Sequence, residues 1–486
     1  GEKLILSYSD TNAKGEGISP AYLIGSIRSL YPKLEIEGGA GVRPHKNSIN
    51  NYCYPENPEA GIDLFLEKLV QETEKEHEDI LEQADETDAM FGELYSWYLR
   101  NPEYRSRVQK LVQSAFAGKP EDIISQSVAK ALYGEVSPYS ATRLERFAAC
   151  AFAHFLQYGM KLTERVEYEF KPMDMGNVMH EALESFAEEV RKRGMKWTEL
   201  TEQERNEIAD RCLDNIVADY GNTVLKSSAR NEYMIERTRR ILRRTVWALQ
   251  KQLEQGEFQP EGFEVTFGGG RIDRVDIMED QNKVYVKVID YKTGNTSFDL
   301  VYLYHGLQLQ LMIYLDGALR VEQKKYPDKE IIPAGVFYYN IKDPMIQEKI
   351  DADVEAVSAG LMKELKMNGL VQADPELVYR MDSSLGSIPV AFNKDGSFRK
   401  NSSVADRTQF AVLGRYVRTK IEKIRSSILE GDAEVSPYEL GKKNACTYCP
   451  YMTVCGFDRR LSGYEFRRLK NFSDEELWKA FDREAK

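Results

Sequence analysis

GFEVTFGGGRIDRVDIMED, residues 262 to 280, runs straight into QNKVYVKVIDYKTG, residues 281 to 294, and the reading of the fold turns on this pair. Apolar and polar residues alternate through both segments, the two-residue period of strands, and the polar EDQN between them reads as a turn. Taking that turn as Glu279 to Asn282, an even count, sets Asp273 across from Val288 on one sheet face. Asp290 and Lys292 then project from the same face, because strand side chains alternate. A turn of odd length separates them. With the even turn, two carboxylates and an ammonium converge at a strand end, where they are expected to face a solvent-filled site.

Such a trio suits hydrolysis at phosphorus. Two carboxylates joined by an imidazole and a backbone carbonyl offer hard oxygen and nitrogen ligands to a divalent ion such as Mg²⁺. The ion polarises a phosphoryl oxygen and acidifies a bound water, while a neighbouring Lys positions that water. A bare D-x-K triplet is also common at exposed strand ends, so it needs company.

Upstream lies MGNVMHEALESFAEEVRKRG, residues 175 to 194, a helix with Met179, Leu183, Phe186 and Val190 on one side and His180 at the edge of that apolar face. A single helical His is more often a packed or surface residue than a ligand. Further upstream, YSATRLERFAACAFAHFLQYGMKL, residues 139 to 162, reads as a helix capped by Ser140 or Thr142 with Leu144, Phe147, Ala151 and Phe155 recurring on one face and Cys150 riding on it. Alone, a helical Cys is usually an inert small hydrophobe. Downstream, NACTYCPYMTVCGFD, residues 444 to 458, holds Cys446, Cys449 and Cys455. Three thiolates are one short of a site, and Cys150, upstream of the strand pair, is a candidate for the fourth. Structural zinc sites come as two local ligand pairs, which one-plus-three with C-x2-C-x5-C fits poorly, whereas four thiolates are the usual shell of a 4Fe-4S cluster. Iron-sulfur is favoured over zinc. Cys53 and Cys212 are left as ordinary thiols.

The remaining chain sets the context. At 486 residues, 42% hydrophobic and 30% charged, it has the length of two or more globular domains and the composition of neither a disordered nor a membrane protein. No run of 18 apolar residues occurs, so no membrane span is expected. GEKLILSYSD carries no secretory signature, six Cys make no disulfide framework, and the cytoplasm is the default compartment. The absent initiator Met is read as a processed chain or a piece of a longer one. Residues 60 to 134 carry apolar residues at helical spacing, EIEGGAGVRPHKNSINNYCYPENPEAG before them reads as loop, and no GxxxxGK[ST] phosphate loop exists. The net charge of −12 does not decide the partner, since a strand-tracking groove needs only local positive surface. Residues 191–194, RKRG, and 237–244, RTRRILRR, are candidates for such a surface.

Taken in order, GxxxHxxLE at Gly176, His180, Leu183 and Glu184, IDRVD with Asp273, IDYKTG with Asp290 and Lys292, and QLMIY with Gln310 and Tyr314 resemble the successive motifs of the RecB-type nucleases of the PD-(D/E)XK superfamily. The resemblance implies an α/β, restriction-endonuclease-like mixed sheet flanked by helices. It places His180, Asp273, Asp290 and the Tyr291 carbonyl on the metal, and Lys292 at the attacking water. Gln310 and Tyr314, one helical turn apart, would touch the active site or the nucleic acid; core packing is the alternative for Tyr314. The bracket SxTRLExFxxC before these motifs and CTYCPYMTVCGFD after them is similar to the AddB family of bacterial AddAB helicase-nucleases. In that reading residues 1–138 are a mainly helical region ending a helicase-like part, and 139–486 are a nuclease domain bracketed by iron-sulfur. What it implies is a Mg²⁺-dependent DNA exonuclease acting in double-strand break repair and recombination. It would cut the single strand, 5′-ended, that leaves a motor supplied by the AddA subunit, with single-stranded and duplex-end DNA as partners. Two other readings stay open: a catalytically silent cluster-bearing scaffold gripping DNA ends or the partner, and a zinc-stabilised binding module.

Overall fold

A computed structural model describes residues 22–31, 57–74, 86–115, 123–134, 140–163, 172–219, 229–268, 270–346, 353–461 and 463–485. Most of the expected Gly-rich loop and its Cys53 lie outside them. The chain divides into two units, Gly1–Phe116 and Ala117–Lys486. Among the described residues no helix is long and apolar enough to cross a membrane.

The first unit is helical where described, with helices Tyr22–Leu30, Pro58–Glu74, Glu86–Arg100 and Pro102–Ala115. Ile62, Phe65, Leu69, Tyr98 and Val108 form its core. Tyr98 buries its ring there and donates its hydroxyl to the Pro58 carbonyl at 2.6 Å, as a buried phenol must. Pro102 starts the last helix where a missing N–H costs nothing, and the Asn101 side chain caps it by accepting from the Glu103 N–H at 3.1 Å.

The second unit is built on six strands: β1 (Gln259–Phe267), β2 (Gly270–Asp280), β3 (Lys283–Lys292), β4 (Glu330–Asn340), β5 (Asn368–Gln372) and β6 (Val404–Ala405), hydrogen-bonded in that order. The sheet is mixed. Neighbours β1–β2, β2–β3 and β4–β5 are antiparallel, whereas β3–β4 and β5–β6 are parallel. The β3–β4 crossover carries the helix Gln310–Lys325. The hairpin between β2 and β3 is tighter than EDQN suggested. Its turn is only Gln281–Asn282, with Asp280 accepting the Gln281 N–H at 2.8 Å, a two-residue connection of the kind that matches strand twist. Val288 therefore pairs with Val275, not Asp273, and the register through Arg274↔Ile289 continues to place Asp273 opposite Asp290. The slip is two residues, so the faces are unchanged.

Helices cover both faces, which is why β3 is apolar on both sides. On one face Val275, Ile277, Val284, Val286, Val288 and Val336 pack under helices Ala141–Ala149, Gln310–Lys325 and Arg407–Glu430. Helix Gln126–Tyr133, grouped by sequence with the N-terminal region, adds Ala129 and Tyr133 to this core. On the other face Met278, Ile289, Tyr291, Phe337 and Tyr339 pack under helices Pro172–Lys192, Glu202–Asp219 and Ala229–Glu254. Met179, Leu183, Phe186 and Val190 are the buried stripe of the first of these, and Cys212 is buried among them.

A charged triad lies within the second core. Asp276 accepts from Arg274 at 2.5 and 2.9 Å and from Lys287 at 2.9 Å, all three buried. Arg274 also stands over the rings of Trp197 and Phe263. Burial opposes ionisation of Asp276, but the two cations outweigh it and hold its carboxyl below the usual range. Asp276→Ala, which strands two buried cations, is expected to cost about 3–5 kcal/mol in denaturant unfolding. Asp276 faces away from Asp273, on the opposite side of the sheet.

Candidate active site

Three carboxylates sit side by side on adjacent strands. β1 and β2 pair Phe263 with Arg274 and Val265 with Ile272, so Glu264 lies opposite Asp273, and Asp273 in turn lies opposite Asp290. Asp273 Oδ2 accepts the Tyr291 backbone N–H at 2.7 Å and stands 3.3 Å from His180 Nδ1. Glu264 Oε1 is 4.0 Å from the same nitrogen. Ligand atoms of His180, Glu264 and Asp273 all fall within 4.8 Å of one another, the one such group among the described residues.

His180 reaches this strand end from the helix on the other face of the sheet. Gly176, one turn earlier, makes the approach possible: a Cβ there would stand 3.3 Å from Thr293 Oγ1, just past the end of β3. Burial pushes His180 below its ordinary pKa, assisted by the Lys292 charge, while the Tyr291 carbonyl favours the protonated ring. The balance favours the neutral imidazole, with the Tyr291 carbonyl and the Asp273 carboxyl beside the ring.

Asp290 does not face open solvent as expected, whereas Lys292 keeps 28% of its side chain exposed. Asp290 is 1% exposed and pairs with Lys292 Nζ at 2.5 Å. Lys292 Nζ donates to Gln310 Oε1 at 2.8 Å, and Gln310 Nε2 donates to the Tyr314 hydroxyl at 2.9 Å. Tyr314 is also buried in the core, edge-on to Phe267, so the site and the packing share it. Burial and the neighbouring Asp290 carboxylate push Asp273 well above the usual range, and burial raises Asp290 despite Lys292. Crowded buried carboxylates beside a neutral His are the electrostatic situation that a divalent cation relieves.

Two site residues were not singled out by sequence. Glu264 holds a left-handed backbone, φ 50°, rare for a residue with a Cβ, and Arg271 pairs with it at 2.5 Å. Its only sequence signal is position: nine residues before Asp273 in a facing strand. Glu145 accepts the backbone N–H groups of Leu309 at 2.7 Å and Gln310 at 2.9 Å. Burial raises its pKa to about 7 against those two bonds. A carboxyl raised above its unfolded value of 4.5 disfavours the fold increasingly as pH climbs from about 4.5 to about 7. Glu145→Gln is therefore expected to raise the melting temperature at pH 8 and to leave it nearly unchanged at pH 4.5.

The four cysteines line one cavity without closing on one another. Ser140 caps the helix Ala141–Ala149, accepting from Arg143, but Cys150 does not ride on it. Its φ of −165° breaks the chain out of the helix before a new turn at Ala151–His154, which turns the thiol aside. Cys150, Cys446, Cys449 and Cys455 line one small cavity with Tyr451 and Phe152. Burial, then the other three thiols, push Cys446 up to about 12. No three of the four sulfurs lie within 4.8 Å of one another. Four of the five arginines of RTRRILRR have acidic partners, Arg239 with Asp214, Arg240 and Arg244 with Asp343, Arg243 with Asp210, while Arg240 and Arg243 remain exposed. In RKRG, Lys192 and Arg193 pair with Glu188 and Glu189.

Residues 138–456 match the family model of the PD-(D/E)XK nuclease superfamily. The chain is 38% identical to the B subunit of the ATP-dependent helicase/deoxyribonuclease of Lachnoclostridium phytofermentans, covering 99% of this chain and 42% of that protein. It is 32% identical to the protein of the same name from Alkaliphilus metalliredigens, covering 100% and 43%, and 30% identical to that from a Thermoanaerobacter species, covering 99% and 43%. The chain thus spans about two fifths of the length of these relatives.

Proposed function

Since the chain belongs to the PD-(D/E)XK nuclease superfamily, we propose that its second unit is a divalent-cation-dependent deoxyribonuclease. The observation that carries this reading is the meeting of His180, Glu264 and Asp273 beside the Asp290–Lys292 pair. His180, Asp273, Asp290 and the Tyr291 carbonyl would hold Mg²⁺, with Glu264 as an added oxygen ligand. The ion supplies charge to a phosphoryl oxygen and acidity to a bound water. Lys292, fixed between Asp290 and Gln310, holds the attacking water and offsets negative charge at phosphorus as the water oxygen bonds and the bridging P–O bond breaks. Gln310 and Tyr314 fix Lys292 and border the strand.

The relatives named as B subunits support a wider setting. The substrate is then the single strand, 5′-ended, delivered by an AddA-type motor during double-strand break repair and recombination, with duplex-end DNA as the loading site. In the same reading the enzyme is cytoplasmic and the four cysteines hold a 4Fe-4S cluster. Tetrahedral zinc with Zn–S near 2.3 Å requires sulfurs about 3.8 Å apart, closer than any three of these stand, whereas a four-iron core takes more room.

The test is release of nucleotides from single strands labelled at either end, with Mg²⁺ or with EDTA. Mg²⁺-dependent cleavage is expected; a folded chain that binds strands without cutting them overturns the enzyme reading in favour of a scaffold. Glu264 offers a sharper check. A glycine relaxes its left-handed backbone, worth about 1 kcal/mol, yet removes the oxygen. Glu264→Gly should melt no lower than wild type while the Mg²⁺ concentration for half-maximal cleavage rises about tenfold. Unchanged Mg²⁺ dependence would make Glu264 a partner of Arg271 only.

A further inference from the structure

We propose that Glu145 is a positioning residue for Lys292, and that the helix carrying it joins the cysteine cavity to the nuclease site; this rests on the nuclease reading above. Helix Gln310–Lys325 begins at Leu309, which makes no side-chain cap of its own. The cap comes from another element: Glu145 Oε1 accepts the N–H groups of both Leu309 and Gln310. A helix start leaves such donors unpaired and favours a negative group. Gln310 is thereby held at both ends, its backbone by Glu145 and its side chain by Lys292 Nζ and the Tyr314 hydroxyl. Without Glu145 the first turn of that helix has no partner for these donors, and the side chain that fixes the ammonium loses its anchor.

The other end of the Glu145 helix is fixed at the cysteines. Cys150 ends the helix and lines the cavity. Arg467, beyond the cysteine cluster, donates to the Ala148 carbonyl, and the Phe152 N–H donates to the Glu434 carbonyl at 3.0 Å. One nine-residue helix therefore has the cavity at its C-terminal end and the Lys292 clamp at its middle. Whatever orders the cysteine segment also orders the cap on Gln310.

Full-chain protein as purified, with Glu145→Ala, Glu145→Gln, Gln310→Ala and the double variant Glu145→Ala/Gln310→Ala, tests this by steady-state cleavage of a labelled single strand, thermal melting and amide exchange. Small misplacement of a reacting group costs up to about 100-fold. Glu145→Ala should lower kcat about 10- to 100-fold with KM within about twofold, and speed exchange at the Leu309 and Gln310 amides about tenfold. Glu145→Gln, whose amide oxygen accepts the same two bonds, should stay within about threefold of wild-type kcat. The double variant should be no slower than the worse single one, as for groups acting in series. Cys449→Ser should speed exchange at the same two amides.

Wild-type kcat in a folded Glu145→Ala protein, equal loss in the Gln variant, or additive losses in the double variant overturn the positioning role. Unchanged exchange in Cys449→Ser overturns the link to the cavity. Absence of cleavage by wild type, or full cleavage by Lys292→Ala, overturns the nuclease reading and this inference with it.

Discussion

Asp290→Asn should abolish Mg²⁺-dependent cleavage, by about 1,000-fold or more, while the protein melts at or above the wild-type temperature in EDTA at pH 8. In the proposed reading the first half follows from removing a charged ligand next to Lys292, which would hold the attacking water; each tenfold in rate is about 1.4 kcal/mol, so the loss corresponds to roughly 4 kcal/mol of transition-state stabilisation. The second half follows from burial. Asp290 is 1% exposed, and desolvation raises its pKa even against the Lys292 charge. A carboxyl raised in the fold penalises the native state above its folded pKa and ceases to do so below its unfolded one. The carboxamide removes that penalty at pH 8 at the cost of the ion pair with Lys292, and the difference should vanish as the solution is acidified through the ordinary carboxylate range. Matched cleavage and calorimetry on the same preparations check both halves. Substantial cleavage by the variant would remove Asp290 from the chemistry, and a large drop in melting temperature would make it a structural group.

Cys150→Ser and Cys449→Ser should show the second large effect, on the fold rather than the chemistry. If the cavity holds a 4Fe-4S cluster, either change removes broad absorption near ~400 nm. The melting temperature should then fall by several degrees, because a group bound only by the native state stabilises through its binding free energy. The four cysteines join two segments far apart in sequence, one following the helix Ala141–Ala149 and the other the short strands near Tyr438–Leu440. Losing the tie loosens the packing of Cys150, Ala153, Leu156 and Tyr451. Asp273, Asp290 and Lys292 themselves remain in the chain, so the surviving folded fraction should still cleave, at a rate lowered by the loosened Glu145 cap on Gln310. Iron and zinc analysis of wild type decides the identity of the group: colourless protein with stoichiometric zinc would replace the cluster by a metal ion.

Much of the fold was legible because its signals are local. Alternation through residues 270 to 292 marks two strands whichever partners they meet, and the even turn settled that Asp273, Asp290 and Lys292 share a face even though the pairing slipped by two. The same alternation separates the two aspartates of IDRVD. Asp273 and Asp276 are three apart, so one joins the candidate site and the other the buried triad with Arg274 and Lys287. Less legible was what surrounds each charge. RTRRILRR reads as a candidate surface for phosphates, and what the sequence does not show is that four of its five arginines also meet Asp210, Asp214 or Asp343, partners supplied by a neighbouring helix and by the segment after β4.

Helix and strand periods, a cap at Ser140 or Thr142 and the one-turn spacing of Gln310 and Tyr314 were determined by the amino-acid sequence itself, since each depends on residues within about four positions of one another. Tertiary structure alone decided that Glu264 stands across from Asp273, that Glu145 caps a helix starting more than 160 residues later, that Asp290 is enclosed, and that Cys150 lines one cavity with Cys446. Those contacts form where the chain crosses itself, and which carboxylate arrives there is set by strand register and helix packing, quantities that no short window of sequence contains.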